Sequence, residues 1–475
     1  MTPLTRRTRW RVGLAVAAGL LAVAWWVLPA PPRGGPAIGS VRLTPNPTSL
    51  PATLGESTGP LSMAATGDSV IVKNWPEPGS DPGFDAVVAV LQRASFAVTN
   101  LEQILRESHG NARSDGWPVG SARTAADLRR AGFTIATRAN NHVADEGDDG
   151  LRATSDVLEK AGLLHVGAGS DLDRARAPLF LGTAPRRIAV IAVTTSAADQ
   201  ARATRTREEI HGRPGVSALR YAAEVTADPA TYATLAEIAH VAPADANSAS
   251  GFHLSGRLVR KGLRTSVELV ADQRDRDEIL ETITAARAHA DVVVVTLHSH
   301  EPGNLSQAPA PFVRDFAHQA IDRGASVVVG TGPRQLRGIE IYQRRAIFYS
   351  LGNFAFDATS IPRPSADVYD ANTNLDELAL EALGQTAPPT LPAYDEPVWW
   401  ESVVATGTFE AGGMTTIRLD PIDLGTDVPL KDRGRPRLAA GERGSAILRR
   451  LADLSKSYGT TIRIENGAGV IDLPF

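Results

Sequence analysis

Four groups of residues carry side-chain types and spacings suited to chemistry. Gly67-Asp68 follows one short apolar run, Asn100-Leu101-Glu102 a second, and Asn140-Asn141-His142 with Asp145 a third. The fourth, His298-Ser299-His300-Glu301, follows Val292 to Leu297, a run of strong strand formers. Carboxylates, amides and imidazoles together make a hard-to-borderline donor set, suited to Mn, Fe or Zn and able to hold Mg or Ca. With two such ions a few ångströms apart, the chemistry is metal-assisted hydrolysis, in which a bridging water loses a proton and attacks phosphorus or carbon. Gly-Asp alone is also a common turn, and Asn-Leu-Glu alone also a helix cap. The two later groups are sharper, because paired amides and imidazoles after an apolar strand have little packing value. His109, His165, His211, His240, His253, His289 and His318 stand singly and read as surface or core residues.

All four groups sit at strand ends. Strands are expected at Leu61–Thr66, Phe96–Thr99, Phe133–Thr137, Leu164–Val166, Ile188–Thr194, Val292–Leu297 and Val327–Val329, with a strand pair at Gly338–Tyr342 and Ala346–Leu351. Helices are expected at Phe84–Ala94, Thr124–Ala131, Asp148–Ala161, Arg274–Ala290 and Pro311–Arg323. Alternation of this kind predicts a layered α/β domain. In such sheets ligands bind beyond the carboxyl ends of the strands, where loops bring side chains from different strands together. Residues 200–275 show no clear period. Asp357 and the Pro-rich stretch Thr359–Ala393 read as a loop near the site, and Glu377 and Glu381 within it as a solvated helix face. Beyond it, a hairpin around Gly412-Gly413, a helix at Gly441–Leu454 and a hairpin at Thr460–Asp472 complete or pack on the domain.

The 475 residues include 49 basic and 53 acidic side chains, for a formal charge of −4, which argues against a dedicated nucleic-acid partner. With 43% hydrophobic and 21% charged residues, the composition is that of a globular protein and excludes wholesale disorder. The absence of cysteine excludes disulfides, thiolate-bound zinc and thiol nucleophiles. Arg6, Arg7, Arg9 and Arg11 precede an uncharged run from Val12 to Ala30, whose helix would span about 28 Å. Residues 1–30 therefore read as a single-pass anchor carrying an extracytoplasmic domain, or as a signal peptide cut near Pro29-Ala30-Pro31. Residues 31–60, rich in Pro, Gly and Ser, read as a tether; 61–358 as the main domain; and 359–475 as its extension.

Five motifs in this order resemble the CapA family, the capsule-synthesis and poly-γ-glutamate-biosynthesis proteins. They are Thr66-Gly67-Asp68, Asn100-Leu101-Glu102, Ala139 to Gly147, His298-Ser299-His300-Glu301 and Tyr349-Ser350-Leu351-Gly352-Asn353-Phe354. The resemblance implies a calcineurin-like metallophosphoesterase fold, two β-sheets flanked by helices. It also implies a membrane-anchored, outward-facing protein, an anionic polymer substrate and a capsule or exopolymer synthase as partner. Carried over, Asp68, Glu102, Asn141, His298 and His300 are metal positions, and His142 a general-acid position. Asn100, Asn140, Asp145, Glu301 and Asn353 surround them, touching substrate or supporting the ligands.

One motif departs from the family. Where related chains end a strand in Gly-His-Gly-Pro-His, this one reads Gly330-Thr331-Gly332-Pro333-Arg334. Threonine is a weak ligand, and a guanidinium has no lone pair to offer a cation. Two outcomes follow: a site with one divalent ion (Mn, Fe or Zn), in which Arg334 stands in for the second and binds an anionic group, or a site that has lost both metal and chemistry. Three functions remain open: a metallophosphoesterase-like protein of capsule biogenesis, a hydrolase unrelated to capsule, and a non-catalytic polymer-binding or assembly partner.

Overall fold

The computed structural model describes residues 60–107, 118–183, 186–241, 251–255, 257–357, 396–410, 413–429 and 433–473. The proposed anchor, nearly all of the tether and the Thr359–Ala393 loop lie outside the described residues. Among the described residues, Arg220–Gln273 forms one compact unit, and those before and after it form a second.

The larger unit is mixed α/β, built on two principal sheets. In the ten-stranded sheet, Leu61–Val70 lies between Phe96–Leu101 and Glu401–Glu410 and also pairs with Asn353–Phe356. The six-stranded sheet runs Leu336–Tyr342, Arg345–Leu351, Val327–Thr331, Val292–His298, Ile188–Thr194, Leu179–Leu181. Strand periodicity explains how one core serves both. Met63, Ala65, Phe96, Val98 and Ile135 from the first sheet and Val190, Val292, Val294 and Val329 from the second point into a shared apolar layer. The alternate residues Ala64, Ala97 and Ala136 pack on the other side against Phe84, Val87, Leu128, Val157 and Leu158 of the helices Pro82–Gln92, Ala122–Ala131 and Gly147–Lys160. Val293 and Val295 are fully buried as well, which is why Val292–Val295 reads as an unbroken apolar run. Each buried valine is worth about 1.5–3 kcal/mol.

Parallel pairing brings the strand ends together. Asp68 lies beside Asn100, and Asn100 beside Thr137; in the other sheet His298 lies between Thr194 and Thr331. The strand holding Asp68 extends to Val70, beyond the expected end at Thr66, because its last residues pair with both Asn353–Phe356 and Phe96–Leu101. The register shifts on either side of Asp68 mark a bulge, a feature that re-aims a side chain. Gly67 makes this approach possible, since a Cβ there would lie 1.8 Å from the Gly352 carbonyl oxygen.

The unit Arg220–Gln273 is a four-stranded sheet in the order Phe252–Leu254, Arg257–Lys261, Tyr221–Ala227, Ser266–Ala271, covered by the helix Pro229–Ile238. Tyr232 and Leu235 of the helix pack on Val225, Ala227, Phe252 and Val259. Asp228 caps the helix by accepting from the backbone N–H groups of Ala230 and Thr231.

The single-pass, membrane-anchored location expected from the sequence is corrected. Among the described residues no helix is long and apolar enough to cross a membrane. The longest, Gln273–His289, has 17 residues and carries charges along its length, including Arg274, Asp277, Glu281 and Arg287.

Two stability effects follow. Gly67→Ala should cost about 3 kcal/mol, the upper end of overpacking effects, read as a lower urea midpoint with unchanged slope. His165 is held down to a pKa of about 3 by burial and by the charge of Arg138. Its unfolded value is about 6.5, so between these limits the unfolded chain binds the extra proton. Its contribution is therefore complete above pH 6.5 and is lost as pH falls toward 3. Replacing it in His165→Asn should lessen the loss of unfolding free energy between pH 6.5 and 4, measured by urea titration, by about 3 kcal/mol; an unchanged pH dependence contradicts the assignment.

Candidate metal centre

The strand ends of the two sheets meet at a buried polar cluster. Glu102 follows Phe96–Leu101, and its side chain is entirely buried. His298 ends Val292–His298, and His300 lies two residues on. Their Nε2 atoms are 3.1 Å apart, and Glu102 Oε1 lies 3.9 Å from the first and 4.0 Å from the second. A triangle with these sides has its centre about 2.1 Å from every corner, the bond length of imidazole and carboxylate ligands to zinc and similar ions. Glu102, His298 and His300 thus form a group able to hold a metal ion. Asn141 Oδ1 lies 3.0 Å from His298 Nε2 and offers a further oxygen.

Surrounding bonds fix these ligands. His300 Nδ1 donates to Asn304 Oδ1 at 2.7 Å, which turns the Nε2 lone pair toward the cluster. The Glu301 carboxylate accepts from the hydroxyls of Thr195, Ser196 and Ser299, while Ser196 Oγ also accepts from the His300 N–H at 2.9 Å. Glu301 therefore anchors the His300 turn and does not join the ligands.

Asp68 reaches the opposite nitrogen of His298. Its Oδ1 lies 3.6 Å from Nδ1 and accepts from Asn100 Nδ2 at 2.7 Å; its Oδ2 accepts from the Gly332 N–H at 2.9 Å. Asn100 Nδ2 and Thr331 Oγ1 each lie 3.1 Å from His298 Nδ1. Asn140 Nδ2 donates to Asn100 Oδ1 and to the Leu101 carbonyl, and its Oδ1 accepts from the His142 N–H. These amides tie the Asn140-Asn141-His142 turn to the neighbouring strand end. Asn353 pairs in register with Asp68, yet its Nδ2 donates to the Trp399 carbonyl, so it supports the bulge from outside the cluster.

His142 forms a second hydrogen-bonded unit beside the first. Its Nδ1 donates to Asp145 Oδ2 at 2.8 Å; its Nε2 faces Asn141 Nδ2 at 2.9 Å and lies 3.8 Å from Glu102 Oε1. Burial, then the charges of Arg334 and His298, holds His142 well below the usual imidazole range. The neutral ring carries its proton on Nδ1 and exposes Nε2 as an acceptor.

Arg334 is buried, at φ +62°, and its guanidinium donates to Glu102 Oε1 while standing over the Phe356 ring. Burial nevertheless pushes the Glu102 carboxyl well above its ordinary range; Arg334 pulls against that rise, and Asp68 and Asp145 add to it. One guanidinium does not offset the cost of burying this carboxylate. For Asp68 burial also acts upward, but His298, Arg334 and the Asn100 bond bring its pKa below the ordinary value. A donor set of one carboxylate oxygen, two imidazole nitrogens and an amide oxygen, with charge still to be balanced, fits a divalent transition ion.

The structure thus gathers Asp68, Asn100, Glu102, Asn140, Asn141, His142, Asp145, His298, His300 and Arg334. Sequence reasoning missed Asn304, Thr195 and Ser196. Thr195-Ser196 also follows a strand end, so its position was a usable signal; Asn304 acts across a turn four residues from His300 and carried none.

Residues 62–358 match the family described as bacterial capsule synthesis protein PGA_cap. An uncharacterised protein of Sinorhizobium fredii is 37% identical over 430 residues, covering 87% of this chain and 93% of that protein. The capsule biosynthesis protein CapA of Bacillus anthracis is 25% identical over 309 residues, covering 62% and 60% of the two chains. The PGA biosynthesis protein CapA of Bacillus subtilis is 25% identical over 304 residues, covering 62% and 63%. Glu102, His298 and His300 all fall inside the matched region, and the chain belongs to the PGA_cap family of bacterial capsule synthesis proteins.

Proposed function

We propose that this protein is an accessory hydrolase of capsule or poly-γ-glutamate-type polymer synthesis, with a metallophosphoesterase-like site that acts on an anionic substrate. The observation that carries the reading is the convergence of Glu102 Oε1, His298 Nε2 and His300 Nε2 on one point. Two sheets sharing a core, with their strand ends meeting at this point, support the calcineurin-like arrangement. The names of the Bacillus relatives support the polymer, and a polymer synthase is the partner that such an accessory would serve.

A divalent ion, Mn, Fe or Zn, would supply an activated water and polarise the scissile group. Glu102, His298 and His300 would hold it, with Asn141 beside them. His142 would accept a proton at Nε2 and then return it to the leaving group. Asp145 fixes the ring's tautomer and orientation at Nδ1. Asn140 sets the backbone of the His142 turn, and burial of Glu102 and His298 excludes water from the ligand side.

The direct test is Mn2+ binding by calorimetry together with hydrolysis of a chromogenic phosphodiester. Glu102→Gln and His298→Ala should each weaken ion binding at least about 100-fold and abolish metal-dependent turnover. His142→Gln should keep ion affinity and lower kcat by about 10²–10⁴. Unaltered ion binding in the first two variants, or full turnover in the third, contradicts the assignment. Gene deletion in a polymer-forming host should reduce or alter the surface polymer; an unchanged polymer with lost esterase activity would separate the hydrolase from capsule work. Asn304→Ala, which frees the His300 ring, should lower ion affinity about 10–100-fold without lowering the urea midpoint, and equal affinity would show that Asn304 does not orient the ligand.

A further inference from the structure

The guanidinium of Arg334 donates to the same oxygen of Glu102 that faces the two imidazole nitrogens. A carboxylate oxygen has two lone pairs and can serve two positive groups at once. We infer that the centre takes a single divalent ion, and that the Arg334 guanidinium occupies the place of a second cation on Glu102. This rests on the reading of Glu102, His298 and His300 as ion ligands.

Three observations lead there. First, the arginine is built into the cluster. It is 3% exposed, its backbone is held in the left-handed region two residues after Gly332, and its side chain lies on the Phe356 ring. A buried guanidinium is planar, permanently charged and unable to ligate, so it repels a second ion wherever it is fixed. Second, Asp68 is already served by neutral donors. Asn100 Nδ2 and the Gly332 N–H take one oxygen each, and Thr331 Oγ1 on the neighbouring strand lies 3.1 Å from His298 Nδ1. Third, the Glu102 oxygen that faces the two imidazoles already carries the guanidinium, so a second ion sharing that oxygen would meet a fixed positive charge at close range.

Metal content decides the matter without recourse to activity. The full chain is loaded with Mn2+, freed of excess by gel filtration and analysed for manganese per chain. One equivalent is expected. Thr331→His combined with Arg334→His should raise it to two, and Arg334→Gln should keep one equivalent while tightening Mn2+ binding at least about tenfold by calorimetry. Two equivalents in the unsubstituted protein would overturn the inference alone. So would a folded double variant that still takes one, or an Arg334→Gln variant with equal or weaker affinity. The last measurement decides if the double variant does not fold. No manganese in the unsubstituted protein would instead remove the ion-ligand reading on which the inference rests.

Discussion

A carboxylate sealed from water must meet positive charge, and the centre of this protein is organised around that requirement at Glu102. The side chain lies at the junction of two sheets, where Phe96–Leu101 ends, and no solvent reaches it. Arg334 supplies one charge by direct hydrogen bonding. The two imidazole nitrogens supply the frame for another. Taking any one of these groups away leaves the others buried without compensation, which costs several kcal/mol and accounts for the dense amide network around them.

The same requirement explains the architecture on either side. Parallel strands bring Asp68, Asn100 and Thr137 abreast in one sheet and Thr194, His298 and Thr331 abreast in the other. Contacts that join the sheets at their ends include Asn100 Nδ2 with His298 Nδ1, and the Gly332 N–H with Asp68 Oδ2. The bulge at Asp68 and the close approach of Gly67 to Gly352 turn the Asp68 carboxylate toward that junction. Apolar residues common to both sheets hold the junction rigid, so the polar cluster rests on a core that does not adjust to it.

Much of this was legible in the sequence because burial and chemistry leave opposite marks on adjacent residues. Val292–Val295 had to be a strand covered on both faces, and the imidazoles directly after it had no packing role. The Asn140-Asn141-His142 turn was legible for the same reason. Hydroxyls were not: Thr195 and Ser196 end a strand just as His298 does, but serine and threonine are common in loops and raise no alarm. Glu301 was expected to touch substrate or support its neighbours, and its three hydroxyl partners make it a clamp on the His300 turn. Residues 220–273 showed no period because their strands offer little contrast. Tyr221–Ala227 buries Tyr221, Ala223, Val225 and Ala227 and leaves Ala222, Glu224 and Thr226 less buried, so alanine stands on both faces, and Ser266–Ala271 is largely exposed. The extent of the Asp68 strand was missed because pairing with distant Asn353–Phe356 carries it past a glycine that local rules read as an end.

The claim beneath all of this is that Glu102, His298 and His300 converge on a cation. Anomalous diffraction from a Mn2+-soaked crystal of this protein tests it most directly. The account predicts a single strong peak about 2.1 Å from Glu102 Oε1 and from both Nε2 atoms. A crystal that shows manganese only elsewhere, or none between these three side chains, would contradict it.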